Sequence, residues 1–370
     1  MRIIHVGEYV SGGVATYIKE VANYQKKDNE VLLLLSKNGS EDINISNVII
    51  KKYKDYNRGN LMRTIGFLFF IKREIDLFNP DIVHIHSSFA GLLTRTIYFF
   101  KKKRFKIVYC SHGWSFSQKI SNSKKRLYAF IEKLLSIKTD AIINVSYQEH
   151  ANALKYKLPA SKMQIILSGV RPPIYTVPIE KSDKHIINLA YFGRFDYAKG
   201  IDILVNIFKK NHFNNLSLNI FGDSILNEFG KELFNNLPDN VSVFGWIDNE
   251  KIDDYIARFD GVIIPSRWEG FGLVAIEAMR NSKPVICSNI KPLSDIIKHN
   301  YNGLLYDNEE DLITILKKID KLMLKDMGIN GYELYKKLYT SDIMNKKILS
   351  VYFDLLSEKN SSIMRDNNEK

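Results

Sequence analysis

Apolar positions in this chain follow two rhythms that alternate from one end to the other. Short unbroken apolar runs of strand type are separated by stretches in which the apolar residue returns every third or fourth position, the spacing of a helix with one buried face. In the first half the strand-like runs are Arg2–Val6, Glu30–Leu35, Asp81–His84, Lys106–Cys110 and Ala141–Val145. The helical stretches between them are Val14–Gln25, Asn60–Phe78, Gly91–Phe100, Lys124–Ser136 and Gln148–Tyr156. A second series predicts strands at Ile187–Phe192, Leu216–Phe221, Val241–Phe244, Val262–Ile264 and Pro284–Cys287, with helices at Ile201–Lys210, Lys251–Phe259, Leu273–Arg280 and Glu309–Leu322. Strand and helix alternating throughout predict an α/β chain of parallel sheets with helices on both faces.

The densest proline cluster, Arg171-Pro172-Pro173-Ile174-Tyr175-Thr176-Val177-Pro178, falls between the two series and reads as a linker. The predicted division is an N-terminal Rossmann-like domain at 1–170 and a C-terminal one at 171–342. A final helix at 343–358 is expected to pack back on the N-terminal domain, and 359–370 is expected to be a disordered tail. Two such halves are expected to face each other across a cleft at the carboxyl ends of their strands, where ligands bind in open α/β sheets.

At 370 residues the chain is long enough for two separate cores, and its 45% hydrophobic and 25% charged content is that of a globular protein. Cys110 and Cys287 each end a strand-like run and read as reduced core thiols, which fits a cytoplasmic protein. The opening run Met1–Val6 is too short for a signal peptide, and the greasiest stretch, Ile65–Ile71, stops at Lys72-Arg73, far short of a bilayer span. The net charge of +12 is one-sided: Met1–Val170 holds 27 Lys+Arg against 13 Asp+Glu, whereas the remainder holds 26 against 28. Lys101-Lys102-Lys103-Arg104-Phe105-Lys106 and Lys124-Lys125-Arg126 carry much of the excess, which suits an anionic membrane surface or nucleic acid.

The candidate chemistry gathers where strands end. In Ser266-Arg267-Trp268-Glu269-Gly270-Phe271-Gly272-Leu273-Val274-Ala275-Ile276-Glu277 two carboxylates flank a Gly-Phe-Gly turn that opens a helix. The glycines allow close backbone approach, and the unpaired N–H groups of the first helical turn attract an anion. Gly193-Arg194-Phe195-Asp196-Tyr197-Ala198-Lys199-Gly200 sets two cations at the carboxyl edge of a strand, where charge builds on a departing diphosphate. Gly12-Gly13 follows the first strand without a full dinucleotide fingerprint, which counts against a simple NAD-dependent enzyme. His112 follows the Lys106–Cys110 strand and is placed to donate to a sugar hydroxyl or a phosphate. In Asp81-Ile82-Val83-His84-Ile85-His86 the two histidines share one strand face, but the next carboxylate partner is distant and no metal site is read there. The chain has no D-x-D triplet, so no metal or cofactor is expected.

The Glu269–Glu277 string resembles the E-x7-E element of the retaining nucleotide-sugar glycosyltransferases of family four, also called group one, which have the GT-B fold. Gly193–Gly200 resembles the G-R-x4-K-G element of the same family, and Gly12-Gly13 its glycine-rich first loop. Ser168-Gly169-Val170 stands where the family has Asn-Gly-Val, and Asn289–Asp295 lacks its usual Gly-Gly. The first loop continues as Val14-Ala15-Thr16, with no charged residue.

The resemblance implies a donor site of Gly13, Arg194, Lys199, Gly245, Trp246, Glu269, Gly270, Phe271, Gly272, Leu273 and Glu277. Within it Arg194 and Lys199 contact the diphosphate, Glu269 the sugar and Glu277 the ribose, while Gly245 and Trp246 follow the strand whose end reads the nucleobase. His112 lines the reacting centre. The expected activity is retaining transfer of a hexose or N-acetylhexosamine from a nucleotide sugar, UDP-linked, to a lipid-linked or oligosaccharide acceptor. The setting implied is O-antigen or capsule assembly on the cytoplasmic face of the inner membrane, the basic half holding the acceptor side. A nucleotide-sugar epimerase of related fold is the rival that needs no acceptor. A nucleic-acid-binding protein is the other, and the chain has no recognised module for it.

Overall fold

The computed structural model describes residues 1–54, 56–57, 59–118, 120–175, 185–223 and 232–368, with the side chains of residue 249 and residues 358–368 left aside. The end of the linker, Thr176–Pro178, lies outside the described residues. By contacts the chain forms two compact units, Met1–Gly169 together with Ser341–Lys370, and Val170–Thr340.

In chain order the first unit runs β1 (Arg2–Gly7), α1 (Gly13–Gln25), β2 (Glu30–Ser36), β3 (Ile49–Tyr53), α2 (Leu61–Phe78), β4 (Ile82–His86) and α3 (Ser88–Ile97). It continues through β5 (Lys106–Cys110), α4 (Asn122–Leu135), β6 (Ala141–Asn144), α5 (Tyr147–Lys155) and β7 (Met163–Ile165). Its sheet has the order β3-β2-β1-β4-β5-β6-β7, and every pairing is parallel. Leu32, Leu34, Val83, Ile85 and Ile107 from the strands close a core with Phe67, Ile71 and Ile75 of α2. These inner strands are buried on both faces, which is why they read as unbroken apolar runs.

The second unit runs β8 (Ile187–Phe192), α6 (Ile201–Lys210), β9 (Leu216–Phe221), β10 (Val241–Phe244), α7 (Ile252–Ile256), β11 (Gly261–Ile264) and α8 (Leu273–Arg280). Then come β12 (Val285–Ser288), α9 (Leu293–Ile296), β13 (Gly303–Tyr306), α10 (Glu309–Lys318) and α11 (Lys321–Leu338). The sheet order is β10-β9-β8-β11-β12-β13, again all parallel. In both sheets the direction of winding reverses beside the first strand, at β1/β4 and at β8/β11. Those two switch points are where an open α/β sheet offers a ligand crevice.

The last helix, α12 (Ser341–Asn368), belongs to the first unit and lies on α1. Asn345 reaches the Glu20 carbonyl and Gln25 donates to the Tyr352 hydroxyl. Its backbone stays helical to Asn368, through most of the 359–370 stretch expected to be a disordered tail. Three edge strands escaped the sequence reading: β3, which carries two lysines and no buried residue, the three-residue β7, and β13. The helix expected over Glu309–Leu322 is broken at Ile319, because Asp320 caps a new helix by accepting from the Met323 N–H at 2.8 Å.

Candidate functional site

The β8/β11 switch point of the second unit is built from two interlocked loops. Gly200 caps α6 at φ 67°, and a Cβ there would lie 1.9 Å from the Pro265 carbonyl oxygen, so only glycine fits. The Arg267 N–H donates to the Ala198 carbonyl at 2.8 Å. The Arg267 guanidinium forks onto both Asp202 oxygens at 2.8 and 2.6 Å and lies 4.0 Å from the Tyr197 ring centroid. Sequence reasoning passed over Arg267, whose one signal is its place inside the Ser266–Glu277 string.

The clamp brings together residues that are 70 apart in sequence: the Lys199 ammonium meets Glu269 Oε1 at 2.7 Å. Ser266 Oγ donates to the same oxygen at 2.7 Å, and the Ser288 hydroxyl holds the Ser266 carbonyl at 2.5 Å. Glu269 is 9% exposed and Lys199 25%, so the pair is partly desolvated and fixed in direction. Arg194 is 42% exposed and pairs with Asp196 at 3.2 Å, while Tyr191 holds its carbonyl at 2.8 Å. The edge thus carries two cations on an anchored loop.

Gly272 caps α8 at φ 99° with no side-chain cap, and no acid stands in the first helical turn, which leaves that end electropositive. Phe271 is buried and Tyr339 lies beside it, while Gly270 carries the chain past Glu269. Glu277 sits on α8 and is only 3% exposed, deeper than an open sugar-binding carboxylate. Gly245 and Trp246 follow β10 at the same carboxyl edge, two strands out from β8, and Trp246 is 48% exposed. Arg194, Lys199, Glu269 and Gly270–Leu273 therefore form one group, with Glu277 beneath it and Gly245 and Trp246 to one side.

In the first unit Gly13 opens α1, and the Gly12 N–H donates to Glu41 Oε1 at 2.6 Å. His112, at φ 52° after β5, turns both ring nitrogens inward. Its Nε2 lies 2.9 Å from His86 Nδ1 and its Nδ1 3.8 Å from Cys110 Sγ, so in this arrangement it is not the free donor the sequence reading expected. His84 and His86 do share a face, and His5 of β1 joins them through the register His5↔His84. Their ring nitrogens lie within 4.8 Å of one another, a spacing that suits a metal ion. The 2.9 Å separation of His5 Nδ1 and His86 Nε2 is nevertheless that of a hydrogen bond between neutral rings. Burial pulls His5 down to about 4 and His112 to about 3, and holds His84 and His86 well below the usual histidine range.

Glu149 was also missed. It is the third helical residue after the Ser146 cap: Ser146 Oγ accepts from the Glu149 N–H at 3.1 Å, and Glu149 Oε2 reaches back past the cap to accept from the Val145 N–H at 3.0 Å. Burial pushes its carboxyl up to about 7, against backbone donors at Val145 and Gly113 that favour the anion.

Residues 178–340 match the family described as "Glycosyl transferases group 1", and residues 11–172 match "Glycosyltransferase Family 4". A Klebsiella pneumoniae protein described as an "Uncharacterized 41.2 kDa protein in cps region" is 33% identical over 331 residues, covering 86% of this chain and 89% of that protein. The Escherichia coli O-antigen biosynthesis glycosyltransferase WbnH is 26% identical over 332 residues, 88% of this chain and 89% of its own. Among solved structures, Anabaena HepE in complex with UDP-glucose superposes with a TM-score of 0.79 at 17% identity, over 96% of this chain and 100% of HepE. Two all-parallel Rossmann-like units, the paired Lys199 and Glu269, and these matches lead to one conclusion: the chain belongs to the group 1, family four glycosyltransferases, with the GT-B fold.

Proposed function

We propose that this glycosyltransferase moves a hexose or N-acetylhexosamine, with retention of configuration, from a UDP-linked sugar to a lipid-linked saccharide in the assembly of a bacterial surface polysaccharide. The Lys199–Glu269 pair at the β8/β11 carboxyl edge carries the reading, because it sets a leaving-group cation beside an oriented sugar acceptor. Breaking the glycosidic bond leaves positive charge on the sugar ring and negative charge on the diphosphate. Lys199, Arg194 and the first-turn amides of α8 meet the negative charge without reorganising. Glu269 orients the sugar hydroxyls and Glu277 holds the ribose. No enzyme nucleophile is assigned: the departing phosphate takes the acceptor's proton as the acceptor attacks from the same face. UDP is favoured because HepE, of the same fold, is described with UDP-glucose, and the polysaccharide setting because WbnH is described in O-antigen biosynthesis.

The test is nucleoside diphosphate release from a panel of nucleotide sugars, with and without lipid-linked saccharides, in EDTA. UDP release stimulated by a lipid-linked saccharide and indifferent to EDTA is expected. Failure with every UDP-sugar, or loss in EDTA restored by Mn²⁺, overturns the donor or the metal-independent part of the proposal. Conversion of the nucleotide sugar to its epimer with no acceptor present would favour the isomerase reading.

We further propose that the first unit works at the cytoplasmic face of an anionic membrane. Among the described residues no helix is long and apolar enough to cross a bilayer. Exposed Leu127, Phe130, Leu134 and Ile137 follow helical spacing along and just past α4, among Lys124, Arg126 and Lys133. Phe100, 94% exposed, precedes exposed Lys101 and Lys102. Lys103 is turned away onto Asp140, as is Lys106 at 3.9 Å, so the basic run contributes less than its sequence suggested. Each exposed cation near an anionic surface contributes about 1 kcal/mol. Co-sedimentation with phosphatidylglycerol vesicles is expected to weaken in high salt and to drop when Lys101, Lys102, Lys124 and Arg126 become Ser. Equal binding to phosphatidylcholine vesicles contradicts the proposal.

A further inference from the structure

We propose that Gln25, His5 and His86 form a proton-ordered relay that fixes the tautomer and ring orientation of His112, which makes His5 and His86 positioning residues for it. The catalytic side of this inference rests on the reading that His112 lines the reacting centre; the ordering itself does not.

The relay runs through the interior of the first unit. Period-two spacing on β4 and the parallel register with β1 put His5, His84 and His86 on one sheet face, all fully buried. Gln25 at the end of α1 and Tyr352 of α12 approach the same rings. Four contacts follow in series: Gln25 Oε1 to His5 Nε2 at 2.8 Å, His5 Nδ1 to His86 Nε2 at 2.9 Å, His86 Nδ1 to His112 Nε2 at 2.9 Å, and His112 Nδ1 to Cys110 Sγ at 3.8 Å. His84 stands outside the series, held by the Tyr352 hydroxyl at 2.6 Å.

A neutral imidazole carries one N–H and one lone pair, so a string of ring-to-ring hydrogen bonds can point only one way. Desolvation keeps the fully buried His5 and His86 neutral and lowers the partly buried His112, whose Nε2 stands against a neutral ring. The direction is set at one end. The Gln25 amide N–H₂ faces the Tyr352 hydroxyl at 3.4 Å, which leaves its carbonyl to accept from His5 Nε2–H. His5 Nδ1 must then accept from His86 Nε2–H, and His86 Nδ1 from His112 Nε2–H. His112 is left with a lone pair on Nδ1, facing a thiol that burial keeps protonated. The Tyr17 ring, edge-on at 4.6 Å, closes one side of His112. Reversing the string requires the amide to turn over and every ring to exchange its proton. The state of His112 is thus coupled to a glutamine three hydrogen bonds away.

Nitrogen-15 NMR of the histidine rings tests this in the intact protein without reference to activity. His5, His86 and His112 are each expected to show a protonated Nε2 and an unprotonated Nδ1. Gln25→Met keeps the volume but removes the acceptor; His5 is then expected to move its proton to Nδ1, and His86 and His112 to follow. Gln25→Glu keeps an acceptor and is expected to preserve the wild-type pattern at His112, which gives a second readout should the methionine variant not fold. In the methionine variant turnover is expected to fall about tenfold to a hundredfold at an unchanged KM for the nucleotide sugar, as displacement of a ring that lines the reacting centre does. A wild-type Nδ1–H at any of the three rings, or a change confined to His5 in Gln25→Met, overturns the relay. A swapped His112 tautomer with normal turnover removes its positioning role, and separates that failure from failure of the donor assignment, which lies on the other unit.

Discussion

Lys199→Ala and Arg194→Ala are each expected to lower turnover by about two to three orders of magnitude, the loss typical of one preorganised charge-stabilising donor. The two residues share the loop between β8 and α6, but their settings differ. Arg194 is the more exposed, and among the described residues its guanidinium pairs with Asp196, so its removal takes away a charge and little packing. Lys199 also orients Glu269, which after substitution keeps only the Ser266 hydroxyl among the described residues. Lys199→Ala is therefore expected to be the more damaging of the two. Both variants should fold, because Gly200 against Pro265 and Arg267 across Asp202 hold the loops without either side chain. Steady-state release of nucleoside diphosphate measures the loss, and circular dichroism checks the fold. A folded double variant with near-normal transfer would refute the diphosphate role.

Glu269→Gln and Glu277→Ala are expected to fail in opposite ways. Glu269 touches the sugar in this account, so the amide, which keeps its size but loses its pairing with Lys199, damages turnover more than nucleotide binding. Glu277 holds the ribose, and losing hydrogen bonds to a charged group costs about 1.5–3 kcal/mol, roughly a tenfold to hundredfold weaker UDP affinity. Because Glu277 is buried, Glu277→Gln belongs beside the alanine variant to separate lost contacts from lost packing. Calorimetric titration with UDP decides between the roles. If affinity falls for Glu269→Gln and is untouched for Glu277→Ala, the two assignments are exchanged.

What the sequence disclosed of this site was local. The Ser266–Glu277 and Gly193–Gly200 strings each hold a strand end, a turn and a helix start within one short segment, so their chemistry could be read without knowing the fold. The two-rhythm pattern gave the inner strands for the same reason: they are buried on both faces and read as unbroken apolar runs. What stayed hidden depends on pairing between distant segments. Lys199 meets Glu269 only because β8 and β11 are neighbours in the sheet. His5 joins His86 only through the β1/β4 register, so neither string of residues announced the relay. Lys103 and Lys106 looked like free surface charge until Asp140 was brought beside them. Edge strands such as β3 and β7 carry too few buried positions to show a period at all.

The central claim, that the β8/β11 edge of the second unit holds the nucleotide sugar, is tested most directly by a crystal structure with a UDP-sugar bound. The diphosphate is expected within hydrogen-bonding distance of Lys199, Arg194 and the first-turn amides of α8, with the ribose on Glu277 and the sugar on Glu269. A nucleotide seated anywhere else, with those five groups untouched, would contradict it.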